Sequence, residues 1–384
     1  MGSSLRLVYA FSPFLLALLP ANAQSQTART DTLLYVGTYS ERGSEGIYVF
    51  SWDGSTGELL PVQSQAGLES PSFLALHPEG HTLYSVNRQG IPSLPAWSSV
   101  SAFGIDAESG QLRHLNDQTA YGQGACYVAV DASGQSLLVG NYGSGDLAHY
   151  RLEADGRIGN MLDTAQHEGA GPVEGRQEGP HVHATVLSPD NKFVYVPDLG
   201  ADRVEVYRLR PGKPLRHTHS VEVYGGTGPR HLAFHPSGRF AFLAGELNST
   251  VVAFERKKNG DLKSIGQWST LPAGYAGSSY NADIHVHPNG KFVYVSNRGH
   301  NSIAWFIVDE STGGLKMAGH VSTEGDWPRN FSLTPDGRFL LVANRRTDDI
   351  AVFSVDPESG EPAYTGQKIS VPSPVCLVFR TPGN

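Results

Sequence analysis

Histidine, arginine and acidic residues recur in this sequence where short apolar runs begin or end. His181 and His183 stand in Gly179-Pro180-His181-Val182-His183, Arg230 in Gly228-Pro229-Arg230-His231, and Arg329 in Trp327-Pro328-Arg329-Asn330. Asp198 follows Pro197, Glu246 follows Gly245, and Arg298 follows Asn297. A His, or a Glu whose pKa is raised, can take a proton from water near neutral pH. A guanidinium can hold a developing oxyanion and can fork onto a phosphate or carboxylate. Arg176 lies with His167 and Glu178 near a Gly-rich polar connection, Glu168 to Gly179. Its length and polarity read as a functional rim loop.

These residues are far apart in the chain, so something periodic has to gather them. One pattern recurs: a Pro or small residue, an alternating apolar strand, a Pro/Asp/Asn-Gly turn, a second apolar strand and a polar residue. It runs over Pro71 to Asn87, Ala125 to Asn141, Gly179 to Asp198, Pro229 to Glu246, Asn281 to Asn297 and Pro328 to Asn344. The closing residues are 54, 57, 48, 51 and 47 apart, and two further strands follow each. Four short strands in a unit of roughly 50 residues predict an all-β, seven-bladed β-propeller with four antiparallel strands per blade. The last blade is closed by both chain ends, Pro374 to Phe379 supplying one half and Leu33 to Thr38 the other. That leaves no open sheet edge, and residues 24–384 read as a single propeller unit.

Blade topology then predicts a site. The start of each first strand and the end of each second strand meet at one mouth of the channel. Aligned on the turns, the starts are Ser72, Cys126, His183, Arg230, Ala282, Arg329 and Val375, and the ends include Asn141, Asp198, Glu246, Asn297 and Asn344. His183, Arg230, Arg329, Asp198 and Glu246 should gather there, with Arg298 just beyond. Asp198 is expected to cap or orient backbone and Arg203 rather than to act in catalysis. His231, His235 and His287 alternate away from the Arg230 line and are expected to pack turns.

The motifs Gly179 to His183, Pro197 to Asp202, Gly228 to Pro236, Ser296 to His300 and Trp327 to Phe331 resemble the seven-bladed lactonase family. That family includes propeller-type 6-phosphogluconolactonases and fungal carboxymuconate-lactonising enzymes, and the likeness runs from about Leu33 to Phe379. It implies hydrolysis of a sugar-acid lactone, with His181 or His183, Arg230 and Glu246 as catalytic residues. Arg176, Asp198, Arg298 and Arg329 are the expected substrate-binding residues, and either Arg298 or Arg329 is the further essential arginine. A carboxymuconate-type cycloisomerase and a non-catalytic binding scaffold are the alternatives. The expected partner is a small anionic lactone or carboxylate, bound by a monomer.

The rest of the chain narrows this further. With 37 acidic residues against 29 Lys plus Arg among 384, the net charge is −8, and no nucleic-acid partner is expected. There is no G-x-S-x-G elbow, Walker loop or dinucleotide fingerprint. The H-x-H pairs at His181, His217 and His285 lie in different blades without H-E-x-x-H or enough Cys ligands, so neither metal nor cofactor is expected. Met1 to Ala23 reads as a cleaved export signal, with Arg6, an apolar stretch and Ala21-Asn22-Ala23, giving a periplasmic or secreted protein without a membrane span. An exported copy would not meet the cytoplasmic substrate of the 6-phosphogluconolactonases. Cys126 and Cys376 fall in different repeats and are expected to stay unpaired.

Overall fold

Among the described residues of the computed structural model the apolar runs are strands, because alternating apolar and polar residues bury one face of a pleated sheet. The structure describes residues 1–2, 32–91 and 93–381. The expected export signal over residues 1–23 thus lies almost wholly outside the described residues. Seven four-stranded antiparallel sheets form the ring of a seven-bladed propeller. Blades 1 to 6 run over Phe73–Thr119, Ala125–Gln166, Val186–Glu222, Pro229–Ser269, Tyr280–Ser322 and Pro328–Ser370. Blade 7 joins the strand Pro374–Arg380 to Thr32–Thr38, Gly46–Asp53 and Glu58–Ala66. Val36 pairs with Leu377 and Leu34 with Phe379, so the two chain ends close the ring. Among the described residues no helix is long and apolar enough to cross a membrane.

Apolar clusters fill the spaces between neighbouring blades. One is shared by blades 4 and 5 and contains Phe242, Val251, Val293 and Phe306. Polar contacts then fix each blade against the next. The buried hydroxyls of Tyr35, Tyr84, Tyr195 and Tyr294 donate to the carbonyls of Gly110, Gly156, Gly260 and Gly360 at 3.1, 2.9, 2.7 and 2.8 Å. Gly260 has φ +91, and a Cβ there would lie 2.6 Å from the Phe193 ring, so that turn requires glycine. His235 and His287 do pack turns as expected, their Nε2 atoms 3.0 Å from the carbonyls of Gly290 and Gly337 in the following blades.

The inner strands carry the feature that builds the mouth. In blade 2, Ala125 pairs with Asn141 but Tyr127 with Gly140, leaving Cys126 as an extra residue. The same bulge isolates Arg329 in blade 6 and Val375 in blade 7. In blades 4 and 5, Arg230 with His231 and Ala282 with Asp283 each lie opposite one residue. A bulge breaks the two-residue alternation and re-aims side chains. His231, expected to face away from the Arg230 line, is therefore turned towards the channel beside it.

The tyrosine bonds give a stability test. Tyr84→Phe and Tyr195→Phe each leave a buried carbonyl without its donor and should each cost about 1–3 kcal/mol. The two sites are in separate blades, so the double variant should lose the sum in urea unfolding.

Candidate active site

Glu246 is the centre of the cluster at the mouth. Its carboxylate lies 2.7 Å from Arg176 Nη2, 2.9 Å from Arg298 Nη2, 3.1 Å from Arg230 Nε and 3.9 Å from His183 Nε2. Burial opposes its ionisation, but the charges of Arg298 and Arg230 override this and hold the carboxyl well below its ordinary range. Glu246 is therefore an anion at any neutral pH. It is not the up-shifted base that the sequence left open.

The arginines differ in their freedom. Arg230 is buried, its Nη1 donating to the Ala282 carbonyl, and burial together with Arg329 and Arg298 lowers its pKa to about 9. Arg298 Nη2 also donates to the Asn281 carbonyl at 2.7 Å. Arg329 is half-buried over the Tyr39 ring at 5.3 Å, and among the described residues no carboxylate lies within ion-pair distance of it. Arg88 also lines the cavity without a carboxylate partner but is exposed, so Arg329 is the more enclosed of the two. His183 is pushed well below the ordinary histidine value, first by burial and then by the Arg230 charge, so its ring is neutral.

A cavity of about 460 Å³ collects these groups, within the range of small-ligand sites. His183, Glu246, Arg176, Arg298 and Arg329 line it, together with Cys126, Tyr39, Arg88, Tyr142, Tyr280 and Trp327. A larger outer depression of about 650 Å³ borders His81, Arg113 and Asp155 and lacks such a cluster of Arg, His and Glu.

Three expected residues do not line the cavity: Arg230, buried against Glu246 and the Ala282 carbonyl, Asp198 and His181. Asp198 is fully buried and does not line the cavity. Its Oδ2 takes His167 Nδ1 at 2.8 Å, and its Oδ1 takes the amides of His181, Gly200 and Ala201. It anchors the rim loop by capping backbone and is shut off from the cavity by burial, which corrects the substrate-binding role expected of it. His181 stacks on Tyr142 at 4.4 Å, and its Nδ1 donates to the Tyr142 carbonyl at 2.8 Å. It lies behind the tyrosine that faces the cavity. The rim loop does reach the site. Gln177 staples it, donating to Leu199 O and accepting from Val173 N, and this presents Arg176 to Glu246.

The model of the "Lactonase, 7-bladed beta-propeller" family matches residues 33–379. The chain belongs to the seven-bladed β-propeller lactonase family. It is therefore an enzyme of the lactone-hydrolysing class. A 6-phosphogluconolactonase of Bacillus subtilis is 38% identical over 346 residues, covering 90% of this chain and 97% of that protein. A 6-phosphogluconolactonase of Formosa agariphila is 33% identical over 307 residues, covering 78% and 86%. The solved periplasmic gluconolactonase of Pseudomonas aeruginosa shares 35% identity at a TM-score of 0.85, covering 91% of this chain and 99% of that one.

The lactonase cavity also shows a register that the turn alignment missed by one residue. The second strand of blade 4 ends at Gly245, whose partner is Pro229, as Asn297 is partnered by Asn281. Glu246 is thus equivalent to Arg298. Tyr39, Arg88, Tyr142 and Glu246 each follow the strand's last paired residue, and their amides bond to the carbonyls of Ser373, Glu69, Gly124 and Gly228. Reading one residue past each second strand would have found Tyr39, Arg88 and Tyr142. Tyr280 and Trp327 precede the bulges of blades 5 and 6 and carry no such signal.

Both cysteines are free. Cys126 lines the cavity, but burial pushes its thiol up to about 12, leaving it unionised. The H-x-H pairs do not converge on a metal: His217 Nε2 bonds to Glu205 at 2.6 Å, His285 Nε2 to Asp283 at 3.0 Å and His287 Nε2 to Gly337 at 3.0 Å. Among the described residues a three-ligand grouping exists at His77, Glu79 and His81, outside the cavity. There the Nδ1 of His77 already accepts from the Glu79 amide.

Glu246→Gln should strand buried guanidinium charge and cost about 3–5 kcal/mol, read by thermal or urea unfolding. The folded carboxyl titrates below its ordinary 4.5, so its contribution is complete above that pH and lost as pH falls through the folded value. The gap between variant and wild type should therefore narrow only in acid.

Proposed function

We propose that this lactonase hydrolyses a sugar-acid lactone of the 1,5-aldonolactone type, with neutral His183 as general base and Arg329 as the principal oxyanion partner. The carrying observation is that one cavity holds a neutral buried imidazole and an arginine without a carboxylate partner, beside arginines already tied to Glu246. His183 accepts a proton from water as its oxygen attacks the ring carbonyl carbon. The oxyanion forms facing Arg329, with Arg298 adding positive field. Collapse restores the carbonyl and breaks the ring C–O bond, and His183 returns its proton to the leaving oxygen. The product is the open-chain hydroxy acid. Tyr142, Tyr280 and Trp327 supply flat walls for the sugar ring.

Arg176 and Arg88 stand towards the outside of the mouth, the first partly buried and the second exposed. They are placed to meet an acid or phosphate tail on the substrate. The relatives' names support both a phosphorylated and an unphosphorylated gluconolactone. The signal-like N-terminus and the Pseudomonas aeruginosa relative favour the unphosphorylated one, in an exported enzyme.

The test is a panel of aldonolactones with and without a 6-phosphate. His183→Asn should lower kcat about 10²–10⁴-fold. Arg329→Ala should lower it about 10²–10³-fold. Wild-type kcat/KM in both variants would sink this assignment. Arg88→Ala should raise KM only for phosphorylated substrates. Because the folded pKa of His183 is depressed, the base stays free through neutral pH, and the acid limb of kcat/KM should lie below the ordinary histidine value of 6.5.

A further inference from the structure

Beneath the cavity the bulges of blades 4 and 5 lie side by side and bring a second set of polar groups together. His231 Nε2 is 3.2 Å from Arg230 Nη1, and His231 Nδ1 is 2.7 Å from Asp283 Oδ1. A guanidinium has only donors, so His231 Nε2 must present a lone pair. The ring proton is then on Nδ1 and is given to Asp283. This assigns the tautomer by chemistry.

Asp283 is itself held from three sides. His285 Nε2 lies 3.0 Å from Oδ2, the Ile284 amide 3.0 Å from Oδ1, and the Asn330 side-chain amide also donates to Oδ2. Asn330 is oriented in turn, because its Oδ1 accepts from the Leu377 amide at 2.7 Å. The chain of bonds thus runs from blade 7 through blades 6 and 5 to the arginine of blade 4. Every bond has one allowed direction. A packing role alone would not require this, since an apolar side chain could fill the same buried space.

We propose that Asp283 and His231 form a positioning relay that locks Arg230 against Glu246 and beside His183, fixing the charge that faces this imidazole. Neither residue touches the cavity. Both act through Arg230, and the inference rests on the reading of His183 as the general base. The titratable groups around His231 are Arg230 on its own strand, Asp283 and His285 on the next blade, and His183 and Tyr127 across the channel. Burial and the Arg230 charge lower the pKa of His231 to about 4, so its acceptor nitrogen is available at neutral pH. Below that, a protonated His231 would turn a donor towards a cation and release it.

NMR of protein labelled with ¹⁵N-histidine reads this without any substrate, peaks being assigned by single-histidine variants. The wild type should show His231 as the Nδ1–H tautomer at pH 7. In His231→Phe, which keeps a ring but no acceptor, the His183 midpoint should rise towards 6.5. In His231→Gln, whose side-chain oxygen can still accept from Arg230, it should return most of the way. On a substrate that the wild type turns over, His231→Phe should lower kcat about 10–100-fold with KM little changed, the usual cost of removing an outer-shell partner. Asp283→Asn should behave like a milder His231→Phe. An Nε2–H tautomer in the wild type, or a folded His231→Phe with an unmoved His183 midpoint, overturns the relay. Absence of turnover on every lactone, with the NMR results as expected, overturns the functional reading and leaves the relay standing.

Discussion

One buried carboxylate makes this channel mouth possible. Arg176, Arg230 and Arg298 could not stand together in a space of low polarity without an anion among them, because each uncompensated charge would be costly to desolvate. Glu246 supplies that anion, and the arginines in turn keep it ionised. The consequence reaches His183, whose ring is held neutral by burial and the same positive charge. Arg329, outside the neutralised group, keeps an unshared charge for whatever enters the cavity. The local arrangement is strongly cationic although the chain as a whole carries −8, so attraction of an acidic ligand is a property of the mouth alone.

Two regularities of the blade place these groups. The bulge in the inner strands sets one or two side chains aside from the ladder, among them Cys126, Arg230 with His231, Asp283 and Arg329. The position following the second strand places Tyr39, Arg88, Tyr142 and Glu246 along the same rim. Each blade repeats the geometry and varies the residue. A ring of seven equivalent positions thus becomes an asymmetric site, aromatic in some blades and charged in others. The rim loop adds the one arginine that the repeat itself does not provide, and Asp198 and Gln177 spend their hydrogen bonds on holding that loop.

The chain alone determined the architecture and most of the charged residues at the mouth, though it missed Arg88 and placed Asp198 there. The strand period, the turns and the two half-blades are local features, and local features are legible because each depends on residues a few positions apart. His183, Arg230, Glu246, Arg298 and Arg329 could be drawn to one mouth because strand direction follows from the repeat. What only the tertiary structure decided was the role of each. His231 looked like a turn residue by strict alternation, but a bulge is invisible to a two-residue period and turned it onto Arg230. Asp198 and Glu246 looked alike as strand-ending acids. One meets backbone amides and His167, the other meets three guanidinium groups, and His167, Arg176 and Arg298 among those partners lie tens of residues away along the chain. The ionisation of Glu246 and the neutrality of His183 follow from those distances and from burial, which long-range packing sets and no single segment of the sequence contains.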